Sequence, residues 1–81
     1  MKIKIQMFGA FRVLGQEVEL DLPEAAIVSD LRVALQPKVS GMELDELLAL
    51  SKFANVRVVL ADTASLDATE VLAILPPVSG G

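Results

Sequence analysis

An α+β domain, a mixed sheet packed on one main helix, is the fold class that the sequence predicts, and three observations predict it. Two stretches near the start, Lys2–Phe8 and Glu17–Leu22, alternate polar and apolar residues with the period of a strand. From Val28 to Gln36 the apolar residues Val28, Leu31, Ala34 and Leu35 recur with helical spacing. A β-branched run, Val56–Leu60, and an aliphatic run, Glu70–Leu75, then supply two further strands.

Taken in order, the first strand places Ile3, Ile5 and Met7 on one face and Lys2, Lys4 and Gln6 on the other. Phe8 breaks the alternation towards the outer face, either as strand-end packing or as a partner contact. Gly9 to Gly15 reads as a loop bounded by two glycines, and the second strand returns antiparallel to the first as a hairpin. Arg12 in that loop is either a partner contact or a member of a surface ion pair. Pro23 stops the second strand.

The main helix is expected to be capped by Ser29 or the residues just before it, with Asp30 in its first turn, and to be closed by Pro37. A second helical stretch begins near Ser40. Glu43, Asp45 and Glu46 gather at its start, Leu44, Leu47 and Leu48 share a face, and Lys52 lies at its far end. Those acids have the residue types of a metal site or of paired catalytic carboxylates, but the helix dipole accounts for them without either. Asn55 is a turn or bulge residue before Val56–Leu60. Residues 61–69 form the loop before the last strand, with Asp62, Asp67 and Glu70 as solvated charges. The order β-β-α-(α)-β-β is that of a β-grasp sheet over residues 1–75.

Composition narrows the chemistry. Eighty-one residues suffice for one core and little else. With 53% hydrophobic and 22% charged residues the chain is a folding one, and with only three phenylalanines for aromatics its core is aliphatic. A net charge of -4 disfavours nucleic acid and points to partners with basic surfaces. The absence of cysteine and histidine removes disulfides, thiolate nucleophiles, imidazole bases and the usual zinc ligand sets. No Gly-x-x-x-x-Gly-Lys phosphate loop occurs, so nucleotide chemistry would come from a partner. The start is too short and too charged for a signal peptide, and no apolar run has the length of a membrane span, so a cytoplasmic protein is expected.

The last six residues, Pro76-Pro77-Val78-Ser79-Gly80-Gly81, are unlike the rest. Two prolines fix φ and remove two backbone donors, so the chain leaves the last strand stiffly. Val78 offers one apolar side chain, and Gly80 and Gly81 have no Cβ, so their backbone fits a channel too narrow for other residues. Extended, six residues reach roughly 20 Å at about 3.3–3.6 Å each. Gly-Gly alone would be a frayed end. Here a strong strand, Glu70–Leu75, runs into Pro-Pro with no linker between them.

Leu75-Pro76-Pro77-Val78-Ser79-Gly80-Gly81 resembles the ending of the small subunit of molybdopterin synthase, the MoaD family of ubiquitin-like sulfur carriers. The resemblance extends through the Phe8…Arg12…Gly15 stretch, Asn55 and Glu70–Leu75. It departs at Val13, where the family usually has Glu, and at Ala68-Thr69, where it has a Gly-Asp turn.

The resemblance implies a terminal strand parallel to the first, both central, and a tail over residues 76–81. It implies that an E1-like, MoeB-like enzyme adenylates the carboxylate of Gly81 with ATP and magnesium, and that a sulfurtransferase replaces AMP with sulfur. The thiocarboxylate would then serve a MoaE-like large subunit, in a heterotetramer, and give its sulfur to cyclic pyranopterin monophosphate. The chain itself would bind no cofactor or metal and would not be an enzyme alone. Gly80 would permit close passage, Ser79 would donate a hydrogen bond, and Val78, Pro77 and Pro76 would fix the entry path. Phe8, Arg12 and Leu75 would meet the partner. Three alternatives stand beside this reading: a thiamine-type sulfur carrier, a protein modifier joined to lysine through Gly81, and a β-grasp interaction module with an inert tail.

Overall fold

The computed structural model describes residues 1–77. Strands β1 (Lys2–Gln6) and β2 (Glu17–Asp21) form the expected antiparallel hairpin, with Ile3 opposite Leu20 and Ile5 opposite Val18. These four side chains are buried, and their polar neighbours are exposed. The connection between the strands is not an open loop. Gly9–Leu14 is a 3-10 helix, and Phe11, its one buried residue, closes that end of the core.

Helix α1 (Val28–Val39) lies across the sheet and buries Val28, Leu31, Leu35 and Val39. It runs through Pro37 instead of stopping there. A proline this near the end forfeits only the hydrogen bond to the Val33 carbonyl, on a residue that is itself exposed, while fully buried Val39 holds the last turn down. The cap is not Ser29 but Ile27, among the residues expected just before it. Asp30 accepts a hydrogen bond from the Ile27 amide at 2.9 Å, and the amides of Val28 and Ser29 donate to the carbonyls of Ala64 and Asp62. The returning loop thus satisfies the helix start.

The second helix, α2 (Asp45–Leu50), begins later than expected. Gly41 and Glu43 both have positive φ (82° and 61°), which breaks helical continuity after α1. Lys52 belongs to the next strand, β3 (Lys52–Ala54), and not to the helix end. Val56–Leu60 is not a single central strand. Asn55 takes the amides of Arg57 and Val58 on its side-chain oxygen (2.8 and 2.9 Å), which makes the expected turn. Only Val59–Leu60 remains as β4, a short edge strand, and Val56 at the turn is 90% exposed.

The last strand, β5 (Val71–Leu75), completes a five-stranded sheet of order β2-β1-β5-β3-β4. It runs parallel to β1 and antiparallel to β3, at the centre of the sheet. This is a β-grasp fold, and it delivers the end of its central strand to one pole of the domain.

Candidate functional site: the root of the tail

The site begins with the β1–β5 register. Lys4 pairs with Val71, Ile5 with Leu72 and Gln6 with Ala73. Leu72 and Ile74 point into the core, so Val71, Ala73 and Leu75 share the outer face of the sheet. Continued in step, the register brings Phe8 beside Leu75 and Gly9 beside Pro76. The second of these approaches is close: a Cβ built on Gly9 would lie 2.8 Å from Cγ of Pro76.

Phe8 and Leu75 are 36% and 37% exposed, an apolar pair on the surface where the tail departs. Lys52 faces Leu75 from β3. Arg12 stands with its guanidinium carbon 5.8 Å from the centre of the Phe8 ring, a cation–π distance, and among the described residues it makes no ion pair. Among the described residues, stacking on Phe8 stands in place of the ion pair read for Arg12 from the sequence. Gln6, Met7, Phe8, Arg12, Gln16 and Glu17 line a shallow open cleft on the same side. Pro76 is half-buried against Gly9, so the chain first swings clear of the domain at exposed Pro77. Val78, Ser79, Gly80 and Gly81, the residues expected to carry the chemistry, lie outside the described residues.

Elsewhere, Asp45 and Glu46 occupy the first turn of α2, where the dipole favours them. Among the described residues no three acidic side chains gather as a metal site. None of the described helices is long and apolar enough to cross a membrane. Asp62 is more than a solvated charge, since it accepts from Arg32 at 2.8 Å. Sequence reasoning also missed Gly9, Val71, Ala73 and Lys52 as neighbours of the tail root. The alternation of Val71, Ala73 and Leu75 was the available signal for the outer face. The approach of Gly9 to Pro76 had none, because it depends on a parallel pairing of distant segments.

The central strand thus leads, beside an exposed apolar pair, into the sequence Pro76-Pro77-Val78-Ser79-Gly80-Gly81. The model of the ThiS family matches residues 5–81. The chain belongs to the ThiS family. It is thus a ubiquitin-like sulfur-carrier domain of the ThiS/MoaD kind, and not a catalytic fold in itself.

This ThiS-family chain is similar to a putative molybdopterin converting factor, subunit 1, from Pyrococcus furiosus, at 26% identity and TM-score 0.76 over 96% of this chain and 99% of that one. It is also similar to a chain of the complex of subunits 1 and 2 of molybdopterin-converting factor from Helicobacter pylori, at 27% identity and TM-score 0.67 over all of both chains. SAMP1 from Haloferax volcanii matches over all of both chains at 24% identity and TM-score 0.74, a likeness of fold alone. No curated protein sequence matches the chain.

Proposed function

We propose that this carrier is the sulfur-donating small subunit of molybdopterin synthase. The observation that carries the reading is the ending Leu75-Pro76-Pro77-Val78-Ser79-Gly80-Gly81 on a ThiS-family domain. The two molybdopterin converting factor relatives support the pathway, and the relative in complex with its subunit 2 supports a large-subunit partner.

A carboxylate resists attack, because its charge is delocalised and its leaving group would be oxide. The carboxylate of Gly81 attacks the α-phosphorus of ATP on an E1-like partner, which supplies the magnesium, and pyrophosphate leaves. Sulfide then adds to the acyl-adenylate and expels AMP, leaving a thiocarboxylate. When the sulfur comes instead as a persulfide on a sulfurtransferase, a second thiol must reduce the acyl disulfide. Neither route needs a cysteine in the carrier. Placed in the large subunit, the thiocarboxylate transfers its sulfur to cyclic pyranopterin monophosphate and water restores the carboxylate. A dithiolene contains two sulfurs, so each product consumes two loaded carriers, in keeping with a heterotetramer.

The roles of this chain's residues follow. Gly81 carries sulfur and Gly80 lets the backbone pass. Ser79 donates a hydrogen bond, Val78 seats the tail, and Pro76 and Pro77 fix its path. Phe8, Leu75 and Arg12 contribute an apolar and cationic contact at the tail root.

The test is the intact mass of the full chain after incubation with an E1-like enzyme, Mg-ATP and sulfide. A gain equal to exchange of one oxygen for sulfur, abolished by deletion of Gly81, is expected. Addition of large subunit and cyclic pyranopterin monophosphate should then return the original mass and yield molybdopterin. Loading without that discharge would assign the carrier to another sulfur pathway. A ladder of lysine conjugates on denaturing gels would make it a modifier. No mass gain with an enzyme that loads a known carrier would remove the sulfur reading.

A further inference from the structure

We propose that Gly9 is a positioning residue for the tail, acting through Pro76; this rests on the sulfur-carrier reading above. Pro76 has no amide hydrogen, so β5 cannot continue its ladder onto β1 past Leu75. Packing must set the heading of the chain there, and the residue against the Pro76 ring is Gly9, which has no Cβ to place in the way. With φ at +59°, Gly9 turns the chain from the extended Phe8 into the 3-10 helix, which lays its open side against the ring. A Cβ would come within 2.8 Å of Pro76 Cγ, yet stand 3.9 Å from Cβ and from Cδ of the same ring. The obstruction is one atom. Because the ring is closed on the backbone, Cγ gives way only by a change of ring pucker or by movement of the whole residue, and not by free rotation like the end of a flexible side chain. A side chain at position 9 therefore displaces the Pro76 ring, and with it the heading of the chain into Pro77.

A tail headed the wrong way is competent to enter a partner's channel only part of the time. Its apparent affinity falls by that fraction, while the chemistry of the tails that do enter is unchanged. The signature is thus a rise in KM with little change in kcat.

Adenylation by an E1-like enzyme with Mg-ATP, followed by pyrophosphate release, reads both constants for four full-length carriers: the parent, Gly9→Asn, Pro76→Ala and the double variant. Asn is chosen because it tolerates positive φ, which leaves the clash as the main change. Gly9→Asn is expected to raise KM about tenfold, with kcat and the thermal midpoint nearly unchanged. In the Pro76→Ala background, where Cγ is gone and Cβ remains at an ordinary 3.9 Å, it is expected to change KM by less than about twofold. An equal rise in both backgrounds would overturn the proposal. If Gly9→Asn fails to fold, folding of the double variant upholds the clash, and its failure overturns it. If even the parent is not adenylated, the carrier reading fails by itself. The contact then stands or falls on a nuclear Overhauser cross-peak between Gly9 Hα and Pro76 Hγ, whose absence would exclude it.

Discussion

Arg32 shows how much one side chain holds together. From α1 its Nη1 donates to the carbonyls of Leu48 and Ser51 at 2.7 and 2.8 Å, and its Nη2 donates to Asp62 at 2.8 Å. Its guanidinium also lies 5.2 Å from the centre of the Phe53 ring. One planar fork thus ties the end of α2, the entry to β3 and the loop after β4 to the main helix. Lysine has the charge but not the geometry. Arg32→Ala is expected to cost on the order of 2–3 kcal/mol in urea unfolding, and Arg32→Lys to recover less than half of it. At Asp67 the effect is smaller and can be titrated. The hydroxyl of Thr69, then its amide, donate to the carboxylate at 2.7 and 2.8 Å and hold its pKa below the ordinary value of 3.8. A depressed carboxylate stabilises the fold above its unfolded pKa and loses that contribution as pH falls through the folded value. Thr69→Ala should move the Asp67 carboxyl titration, followed by carbon NMR, back up towards 3.8. An unmoved titration would show that the turn does not hold the carboxylate.

Among the elements, the 3-10 helix Gly9–Leu14 depends most on a single residue. Phe11 is its one buried side chain and is 1% exposed, so Phe11→Ala should cost about 3–5 kcal/mol. A domain of this size has little more to lose, and thermal unfolding should show a large fall in midpoint. The strands of the hairpin and the central strand were legible in the sequence because one face of each is buried, and burial writes a period of two into the residues. The turn at Asn55 was legible because its side chain makes the turn by itself. The ends of α1 and α2 were not. Pro37 is tolerated because Val39 is buried beyond it, and α2 is delayed by positive φ at Glu43, a residue with no local preference for it. Val56–Leu60 misled for a related reason: β-branched residues suit a strand, but only Val59 and Leu60 have a partner strand to pair with. At the site, the outward Phe8 was legible because it breaks the alternation of its strand, whereas the seat of Pro76 on Gly9 depended on tertiary pairing.

At the scale of the whole molecule, net charge and local charge point in opposite directions. The total of -4 suggests a basic partner. Around the tail root, however, Lys4 flanks Val71, Lys52 flanks Leu75 and Arg12 covers Phe8, while Lys2 is occupied by Glu19 at 3.7 Å. Glu17, Glu19 and Asp21 share that outer face on the neighbouring edge strand, with Glu19 opposite Lys4, whereas Asp30, Glu43, Asp45 and Glu46 lie on the helical side. A partner that covers the outer sheet face at the tail root therefore meets an apolar strip with Lys52 on one side and Lys4, backed by the acids of the edge strand, on the other. Complementarity asks for a carboxylate opposite Lys52 and, more weakly, opposite Lys4. Charges at the rim of an interface act mainly on the rate of encounter. The double variant Lys4→Glu with Lys52→Glu should slow association with the large subunit proposed as partner several-fold. It should also flatten the salt dependence between about 0.1 M and about 1 M, where the screening length falls from about 10 Å to about 3 Å. Reversing Asp45 and Glu46 to lysine on the opposite side should leave the rate within about twofold. If stopped-flow association responds equally to both pairs, long-range net charge governs the encounter and the sheet face has no special part in it. If only the sheet-face pair responds, the partner approaches over Phe8 and Leu75, where the tail leaves the domain.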